Sequence, residues 1–400
     1  MSVTVRDLES WRAEFPILAR TVYMISNSLG AMPRRTAADL AEYAEAWATR
    51  GVRAWEERWW EMPIEVGNKA ARIIGAPAGS VSMHENVTTA HMAALSALRP
   101  ESRRRRLVCC EMDFPSMVYL YRAQQAAGFE LTIVPAEPDL SVRTDRVVEA
   151  IDERTAVVCF SHVLFRTSYI MDAAAITARA HEVGARVILD TYQSAGIIPV
   201  DVTALGVDFA VGGCLKWLCG GPGNAFLYTR PHLLKTLKPS FTGWLSHQRP
   251  FAFDIGPFDD AVRHDAMRMM NGTPAIPAYY AALAGLDIIH EVGVDRIRAQ
   301  SQRLTGRLLA LVDRYGFGSA AARDPERLAG TVAVAVPDAA AVSRTLKARD
   351  FVVDYRPPVG IRISPHFYNT MDEIDRIMAE IADIVTKKDY APETLKTLVT

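Results

Sequence analysis

The stretch GGCLKWLCGGPGNAFLYTR, from Gly212 to Arg230, places one lysine between a predicted strand and a run of glycines. Lys216 is flanked by Leu215 and Trp217, and the chain is apolar again from Ala225 to Tyr228. A buried ammonium group is costly unless it is paired, neutralised or converted chemically. One such conversion is a Schiff base with an aldehyde. The stretch therefore predicts a strand that leads into a chemically reactive lysine.

Short apolar runs alternate with helix-like stretches from about residue 60 to residue 270. The predicted strands lie in RRLVCCEMDF, LTIVPAE, TAVVCFSHV, ARVILDTYQS and VDFAVGGCLKW. This alternation indicates an α/β fold with a mainly parallel sheet, in which functional residues gather beyond the carboxyl ends of the strands. Four polar or aromatic residues fall at such ends: Phe114, His162, Asp190 and Lys216. We expect one helix and one strand between Asp190 and Lys216.

The pattern changes after residue 275, where a long helix leads into a second and smaller α/β unit with strands in GTVAVAV and FVVDYRPPVGIRIS. We expect residues 41–275 to form a large cofactor-binding domain and residues 276–400 to form the small C-terminal domain. Residues 1–40 are expected to join the small domain. No internal repeat or low-complexity linker separates the two units.

The composition is that of an ordinary globular protein, with 400 residues, 50% hydrophobic and 23% charged, and a formal net charge of −1. A charge near zero gives no electrostatic reason to expect nucleic acid or an anionic membrane as a partner. No apolar run reaches the ~20 residues of a membrane span, and the start of the chain lacks a signal peptide's apolar core. The five cysteines have apolar neighbours and no paired metal spacing, so we expect reduced thiols, no metal site and a cytoplasmic location.

Asp190 ends an apolar strand, where a carboxylate is expensive without a cationic partner. In a pyridoxal phosphate enzyme that partner is the protonated pyridine nitrogen, which makes the ring an electron sink. Lys216 follows close enough for the two strand ends to face one ring. An aspartate that merely caps the next element is the alternative.

Other residues have the chemistry that such a cofactor and its substrate need. Asn86, Thr88 and Thr89 precede or begin a predicted helix, whose free amides and dipole favour a phosphate, although a plain N-cap is also common. Phe114 could stack on the pyridine face or belong to the core. Arg362, inside the apolar run VGIRISPHF, fits a substrate carboxylate as a bidentate donor. The alternative for Arg362 is a salt bridge within the small domain.

Motifs spread over nearly the whole chain resemble those of the kynureninase family, within the class V aminotransferase group of fold-type I pyridoxal phosphate enzymes. The matching segments, in chain order, are YMISNSLGAMP, WEERWWEMPIEVGNKAARIIGAP, EMDFPS, SHVLFRTSYIMD, GGPGNAFLY, GWLSHQRPFAFD, NGTPAI and IRISPHFYNT. Each segment alone is weakly specific, whereas together in this order they are highly specific. The resemblance implies pyridoxal 5′-phosphate as the cofactor and an amino acid as the substrate.

The resemblance also implies a role for individual residues. The implied cofactor contacts are Lys216, Asp190, Gln193, Phe114, Val87, Thr88, Trp244 and Thr273. Lys216 would form the imine with the cofactor, and Asp190 would bind the ring nitrogen. Trp244 and Thr273 come from the second subunit in this family, which implies a homodimer with shared active sites. Ser28 and Arg362 would hold the substrate's α-carboxylate.

Three positions depart from the family pattern. Gln193 replaces a histidine, Leu215 replaces a tyrosine that binds phosphate and relays protons, and Met117 replaces an aspartate. A glutamine can donate a hydrogen bond to the cofactor but cannot act as an acid or base near neutral pH. We therefore expect kynurenine not to be the substrate. The unusual residues Tyr192, Leu215, Met117, His247 and Tyr355 are expected to define the substrate pocket.

The leading hypothesis is a lyase, a hydrolase or a carbon–carbon bond-forming enzyme with a specialised amino-acid substrate. A cysteine desulfurase needs a nucleophilic cysteine on a small-domain loop, and it is excluded because the chain has no cysteine after Cys219. A C–S lyase that needs no cysteine is an alternative. An aminotransferase or epimerase would use Lys216 alone as acid and base. A last alternative is a protein that binds the cofactor but catalyses no reaction. The presence of Lys216, Asp190 and Arg362 together argues against it, because such a protein needs no site for a substrate carboxylate.

Overall fold

The computed structural model describes residues 6–256 and 261–390. The predicted bounds at residues 1 and 400 lie outside these ranges. The strands are β1 Val22–Tyr23, β2 Val81–His84, β3 Arg106–Cys110, β4 Glu130–Val134, β5 Thr155–Ser161, β6 Arg186–Asp190, β7 Phe209–Gly213, β8 Ala225–Thr229, β9 Val332–Val334, β10 Phe351–Val352, β11 Asp354–Arg356 and β12 Gly360–Ile363. The α-helices are α1 Thr36–Arg50, α2 Met62–Ile73, α3 Val87–Ser96, α4 Pro115–Ala123, α5 Thr144–Glu149, α6 Ala173–Glu182, α7 Ile276–Val292, α8 Val294–Tyr315, α9 Ala339–Ala348 and α10 Met371–Lys387. From β2 to β6 strands and helices alternate along the chain, whereas β6 to β8 and β10 to β12 follow one another without an α-helix.

Short helical turns of other types connect these elements. The 3-10 turns are Glu9–Glu14, Pro16–Ala19, Gln124–Ala127, Leu233–Lys235, Trp244–Ser246, Pro250–Ala252 and Ala266–Met269, and Trp55–Trp59 forms a π-turn. No helix in the described ranges is long and apolar enough to cross a membrane. No group of three or more His, Cys, Asp or Glu side chains in those ranges could hold a metal ion. All five cysteines are buried and free.

A seven-stranded sheet forms the centre of the molecule, in the order β2-β8-β7-β6-β5-β3-β4. Strands β4, β3, β5, β6 and β7 run parallel to one another, and β8 pairs antiparallel with both β7 and β2. The predicted α/β class with a mainly parallel sheet is confirmed. Asp190 is the last residue of β6 and lies in register with Ser161 of β5 and Val211 of β7.

Alternating side chains of the central strands belong to two different cores. One core, which includes α2 and α7, takes residues such as Val187 and Leu189 of β6. The other, beneath α3 and α4, takes Ile188 of the same strand. Because side chains alternate along a strand, Asp190 points to the same face as Ile188, the face that α3 covers.

The helix that we expected between Asp190 and Lys216 is absent. The chain from residue 191 to residue 208 consists of turns and then enters β7 directly. Gly196 and Gly206 have positive φ values of 90° and 68°, which right-handed helices do not contain. Pro199 lies between them and has no N–H to donate. The two strand ends are therefore neighbours through a compact connection, not through a helix.

A separate apolar core lies in the C-terminal region, between α8, α9, α10 and the antiparallel sheet β11-β12-β9. Val22 and Met24 of the N-terminal segment belong to this core, and β1 pairs in parallel with β10. The buried side chains of α7, by contrast, belong to the core of the central sheet. The domain boundaries at residues 40 and 275 stay predictions.

Candidate active site

Strands β6 and β7 end side by side and bring Asp190 and Lys216 to the same edge of the sheet. β7 ends at Gly213, three residues before Lys216. A Cβ on Gly213 would lie 2.5 Å from a ring carbon of Tyr192, so only glycine leaves room for that ring. Gly213 thus lets Tyr192 pack closely against the end of β7, while Gly212 leaves room for the ring of Phe226.

The side chain of Lys216 is half-buried and lies among aromatic rings. Its Nζ is 4.0 Å from the ring centroid of Tyr192 and 5.9 Å from that of Phe114. Burial lowers the pKa of Lys216 to about 7, although the nearby carboxylate of Asp190 opposes the shift. About half of the amine is therefore uncharged near neutral pH, and an uncharged amine is the form that attacks an aldehyde.

This low pKa predicts an unusual pH profile for the protein without cofactor. Acylation of Lys216 by a trace of acetic anhydride should rise with pH through a midpoint near 7, because the neutral amine predominates above its pKa. Lysines of ordinary pKa, ~10.4, should titrate more than three units higher. Mass spectrometry of the digested protein measures each lysine separately, so the other lysines are internal controls. A midpoint near 10 for Lys216 would contradict the prediction.

Asp190 is buried and lies beside a histidine that the sequence analysis did not single out. Its Oδ1 accepts the backbone N–H of Tyr192 at 2.8 Å. His91 of α3 is fully buried with Nδ1 3.2 Å from the carbonyl of Val87, while its Nε2 has no hydrogen-bond partner. Burial lowers the pKa of His91, and the charge of Asp190 partly opposes this shift. The carboxylate therefore has an uncharged polar ring for a neighbour.

The start of α3 offers backbone and hydroxyl donors on the same side of the sheet. Asn86 is the N-cap, and its side-chain oxygen accepts from the backbone N–H of Thr89 at 3.0 Å. Val87 is the first helical residue, and Thr88 is partly exposed. The plain N-cap alternative therefore holds for Asn86. Val87 and Thr88 remain available to an anion at the helix N-terminus.

Gln193 is buried, and both ends of its amide already have partners. Its Nε2 donates to the carbonyl of Asn27 at 3.0 Å, and its Oε1 accepts from Nε1 of Trp217 at 3.1 Å. The side-chain amide of Asn27 is buried, and neither its nitrogen nor its oxygen has a partner. An unpaired amide is costly in a protein interior, so this position suits a polar ligand.

Arg362 does not stand alone in its strand. It forms a bidentate ion pair with Asp354, donating from Nε at 2.9 Å and also from Nη2. Its Nη1 donates to the carbonyl of Phe165 at 2.6 Å, and Ser28 donates to Asp354 at 2.8 Å. The small-domain salt bridge, which the sequence left open as an alternative, is thus present. The predicted pair Ser28 and Arg362 does come together, with Asp354 between them.

Trp244 and Thr273 make no hydrogen bond, ion pair or ring contact with Lys216 or Asp190 within the described residues. Trp244 packs in an aromatic group, 5.4 Å from Trp60, 5.8 Å from Phe251 and 6.3 Å from Phe253, centroid to centroid. Thr273 is exposed. The structure therefore places neither of these two predicted cofactor contacts beside Lys216 of the same chain.

Two of the five residues expected to define the substrate pocket differ in where they lie, and the pocket itself stays a prediction. Tyr192 lies against Lys216, as described above. Met117 does not line a pocket, because α4 turns it into the core under the sheet, where it is 1% exposed. The sequence analysis did not predict Asp354 and Arg356 as residues of the candidate site. The only sequence signal for them was a charged pair at alternate positions in the apolar strand FVVDYR.

The residues at this edge of the sheet fit pyridoxal phosphate in chemical type. They supply an amine of lowered pKa for the aldehyde, a buried carboxylate for the ring nitrogen and a helix N-terminus for the phosphate. The unpaired amide of Asn27 and the unpaired Nε2 of His91 are buried polar atoms that lack a partner. Such atoms are rare in a complete structure, and a polar ligand would satisfy them.

Comparison with known proteins agrees with this donor set. The family model for class V aminotransferases matches residues 22–377. The chain belongs to the class V aminotransferase family. A kynureninase of Bacillus thuringiensis subsp. konkukian (strain 97-27) is 28% identical over 399 residues, which cover 96% of this chain and 93% of that protein. The uncharacterized aminotransferase YcbU of Bacillus subtilis (strain 168) is 30% identical over 378 residues, 94% of this chain and 97% of that protein.

The fold also matches solved structures. A variant of the C-DES protein, with glycine covalently linked to its pyridoxal phosphate, superposes with a TM-score of 0.84 at 20% identity. The match covers 93% of this chain and 99% of that one, and at this identity it shows the fold alone. The fold-type I class is thereby confirmed. The family and the donor set together identify pyridoxal 5′-phosphate as the cofactor of this class V enzyme.

Proposed function

We propose that the protein is a kynureninase-like enzyme that acts on an amino acid through Lys216, as a lyase, a hydrolase or a carbon–carbon bond-forming enzyme. The observation that carries the proposal is the Lys216 amine, half-buried at a strand end with a pKa of about 7, beside the buried carboxylate of Asp190. When bound, pyridoxal phosphate supplies an electron sink next to the substrate's α-carbon. Lys216 would hold the cofactor and then move a proton at that carbon.

The other residues would bind and orient. Asp190 would keep the ring nitrogen protonated, and Val87 with Thr88 would bind the phosphate at the start of α3. Phe114, 43% exposed at the N-terminus of α4, has an open ring face for the cofactor. Arg362 would hold the substrate's carboxylate, and Ser28, which donates to Asp354 and accepts from Arg362, would help to hold Arg362 in place. The side-chain nitrogen of Gln193 has two hydrogens, and one of them is donated to the carbonyl of Asn27. Gln193 would donate the other to the cofactor.

We further propose a cytoplasmic homodimer in which Trp244 and Thr273 complete the partner's cofactor site. The support is an exposed apolar surface around Trp244, in which Phe251, Phe253 and Ile255 are 56%, 74% and 100% exposed. A contiguous apolar patch of this kind marks interaction surfaces in soluble proteins. The exposure of Thr273 agrees with a role across such an interface.

A C–S lyase that uses no cysteine and an aminotransferase or epimerase remain alternatives. The buried cysteines do not favour sulfur transfer through a thiolate, since burial raises the pKa of each of them. Lys216 alone could serve an aminotransferase or epimerase. The test is an absorbance screen of the cofactor-loaded protein against a panel of L-amino acids. A protein whose imine band responds to no amino acid would contradict the proposed function.

L-Kynurenine should be a poor substrate. Hydrolysis of its β-acyl group needs proton transfer, and Gln193 and Leu215 stand where the family has a histidine and a tyrosine. Each general acid or base typically contributes ~10²–10⁴-fold, so only residual activity should remain. The measurement is release of fluorescent anthranilate from L-kynurenine with saturating cofactor.

The double variant Gln193→His/Leu215→Tyr is the matched control, and it should hydrolyse L-kynurenine faster than the natural protein. A natural enzyme that turns over L-kynurenine at roughly 1–10 s⁻¹ would show that this is an ordinary kynureninase. A double variant no faster than the natural enzyme, on an equally loaded cofactor, would show that these two positions do not determine the substrate.

A further inference from the structure

Two arginines, not one, face the candidate site from the small domain. β11 and β12 are antiparallel, with Asp354 directly opposite Arg362 and Arg356 opposite Gly360. Residues two apart on a strand, and residues directly opposite each other, point to the same face. Asp354, Arg356 and Arg362 therefore share one face of this sheet. Because Gly360 has no side chain, nothing on β12 covers Arg356 from across the strand.

Two chains of contacts link this face to Lys216. In the first, Arg362 donates to the backbone carbonyl of Phe165, and the ring centroid of Phe165 lies 5.2 Å from that of Phe114. The ring centroid of Phe114 lies 5.9 Å from Nζ of Lys216. The second runs from Asp354 to Ser28 and its neighbour Asn27, whose carbonyl accepts from Gln193. Gln193 in turn accepts from Trp217, the residue after Lys216. The charges of Arg362, Asp354 and Arg356 all act on the Lys216 amine.

The two guanidinium groups differ in what they can still bind. Arg362 has four of its five N–H groups committed, two to Asp354, one to the carbonyl of Phe165 and one to Ser28. Its side chain is 3% exposed. Arg356 donates one N–H to the carbonyl of Tyr355 and approaches Asp354 at 3.3 Å, and its side chain is 28% exposed. Arg356 thus has the open donor edge.

The charges in this group add up to one excess positive charge, since Asp354 neutralises one of the two arginines. Asp354 is fully buried, and burial alone would raise its pKa. The hydrogen bond and charge of Arg362, with Arg356 and Ser28, outweigh burial and hold the pKa of Asp354 below its usual value. Asp354 is therefore ionised at neutral pH, and one further carboxylate brings the group to neutrality.

Building on the function proposed above, we propose that the substrate's α-carboxylate binds to the open edge of Arg356 and the remaining N–H of Arg362. Asp354 is a positioning residue that holds both guanidinium groups and limits the site to one carboxylate. The substrate class is accordingly an α-amino acid with an uncharged side chain. A second carboxylate would leave an unbalanced negative charge in a partly buried site.

The test uses the cofactor-loaded protein and simple probes, with absorbance of the cofactor as the measure of binding. L-Alanine should bind more tightly than L-alaninamide, and Arg356→Gln should weaken L-alanine alone, by roughly 10- to 100-fold, as for a lost hydrogen bond to a charged group. Arg314→Gln, at an exposed arginine near the end of α8, is the matched control and should bind both probes like the natural protein. Arg356 is the better position than Arg362 because its loss leaves Asp354 paired.

The role of Asp354 is tested by charge selectivity, which a purely structural residue would not change. The natural protein should bind L-glutamine more tightly than L-glutamate, and Asp354→Asn should reduce that preference by roughly tenfold or more, since it leaves a second positive charge unbalanced. The proposal would be overturned if Arg356→Gln weakened the binding of L-alanine and L-alaninamide equally. It would also be overturned if the natural protein bound L-alanine no more tightly than L-alaninamide. A normal imine band in these proteins would still support the proposed function, whereas its absence from the natural protein would contradict that function separately.

Discussion

Replacing Lys216 with alanine is expected to leave pyridoxal phosphate bound without a covalent bond and to lower turnover by at least ~10²–10⁴-fold. This range is the typical contribution of one general acid or base. Loss of the covalent attachment should lower turnover further. The fold should survive, because Lys216 makes no side-chain hydrogen bond or ion pair within the described residues and lies against Tyr192 and Phe114. Removing a half-buried amine of lowered pKa relieves a desolvation cost.

Borohydride reduction distinguishes the two kinds of attachment. In the natural protein the reagent should fix the cofactor to the peptide that contains Lys216, whereas in Lys216→Ala the cofactor should be removed by dialysis. Lys235→Ala, at an exposed lysine in a 3-10 turn, is the matched control and should behave like the natural protein. If Lys216→Ala kept a reducible imine, another lysine would hold the cofactor and the assignment would be wrong.

The strand ends that carry Asp190 and Lys216 could be predicted from the sequence because buried parallel strands are short, apolar and bounded by turn residues. Apolar periodicity also predicted the mainly parallel sheet and the second core around α8 to α10. The connection from Asp190 to Lys216 was predicted wrongly. Its apolar residues, such as Ile197 and Val202, are buried as a helix face would be, but glycine and proline keep the segment in turns.

The pairing of Arg362 with Asp354 could not be predicted from the sequence with the same certainty. Both side chains lie in apolar strands, and their contact depends on the register of β11 with β12. A shift of register by one residue would send them to opposite faces. The sequence shows that a buried arginine needs an anion, but whether a protein carboxylate or a substrate fills that place is decided by tertiary packing.

Trp244 and Thr273 illustrate a different limit. Their assignment to the cofactor site came from resemblance to a family, whereas in the single chain Trp244 packs against Trp60 and Thr273 is exposed. In the proposed assembly of two chains they would reach the cofactor site of the partner. His91 was missed for a different reason, since a histidine on a buried helix face resembles a core residue until the structure shows its unpaired Nε2 and the influence of the Asp190 charge on its pKa.

Asp190→Asn should lower turnover by several orders of magnitude while leaving the fold almost unchanged. The carboxylate would keep the cofactor's ring nitrogen protonated, and each pKa unit lost there corresponds to about 1.4 kcal/mol. A drop of about three units is then worth roughly 10³-fold in rate. Asparagine retains an oxygen that can accept the N–H of Tyr192, so the local hydrogen bond should persist. Turnover, cofactor content and thermal unfolding are the three measurements.

Asp113→Asn provides the structural counterpart. Asp113 is also buried near a strand end, but its two carboxylate oxygens accept the backbone N–H groups of Cys110 at 2.8 Å and Ser161 at 2.7 Å. Asparagine can satisfy only one of these donors, so this variant should lose about 1–3 kcal/mol of stability and keep most of its activity. Asp190→Asn should thus lower turnover, whereas Asp113→Asn should lower stability. An Asp190→Asn protein with near-full turnover and a lowered melting temperature would make Asp190 a structural residue like Asp113.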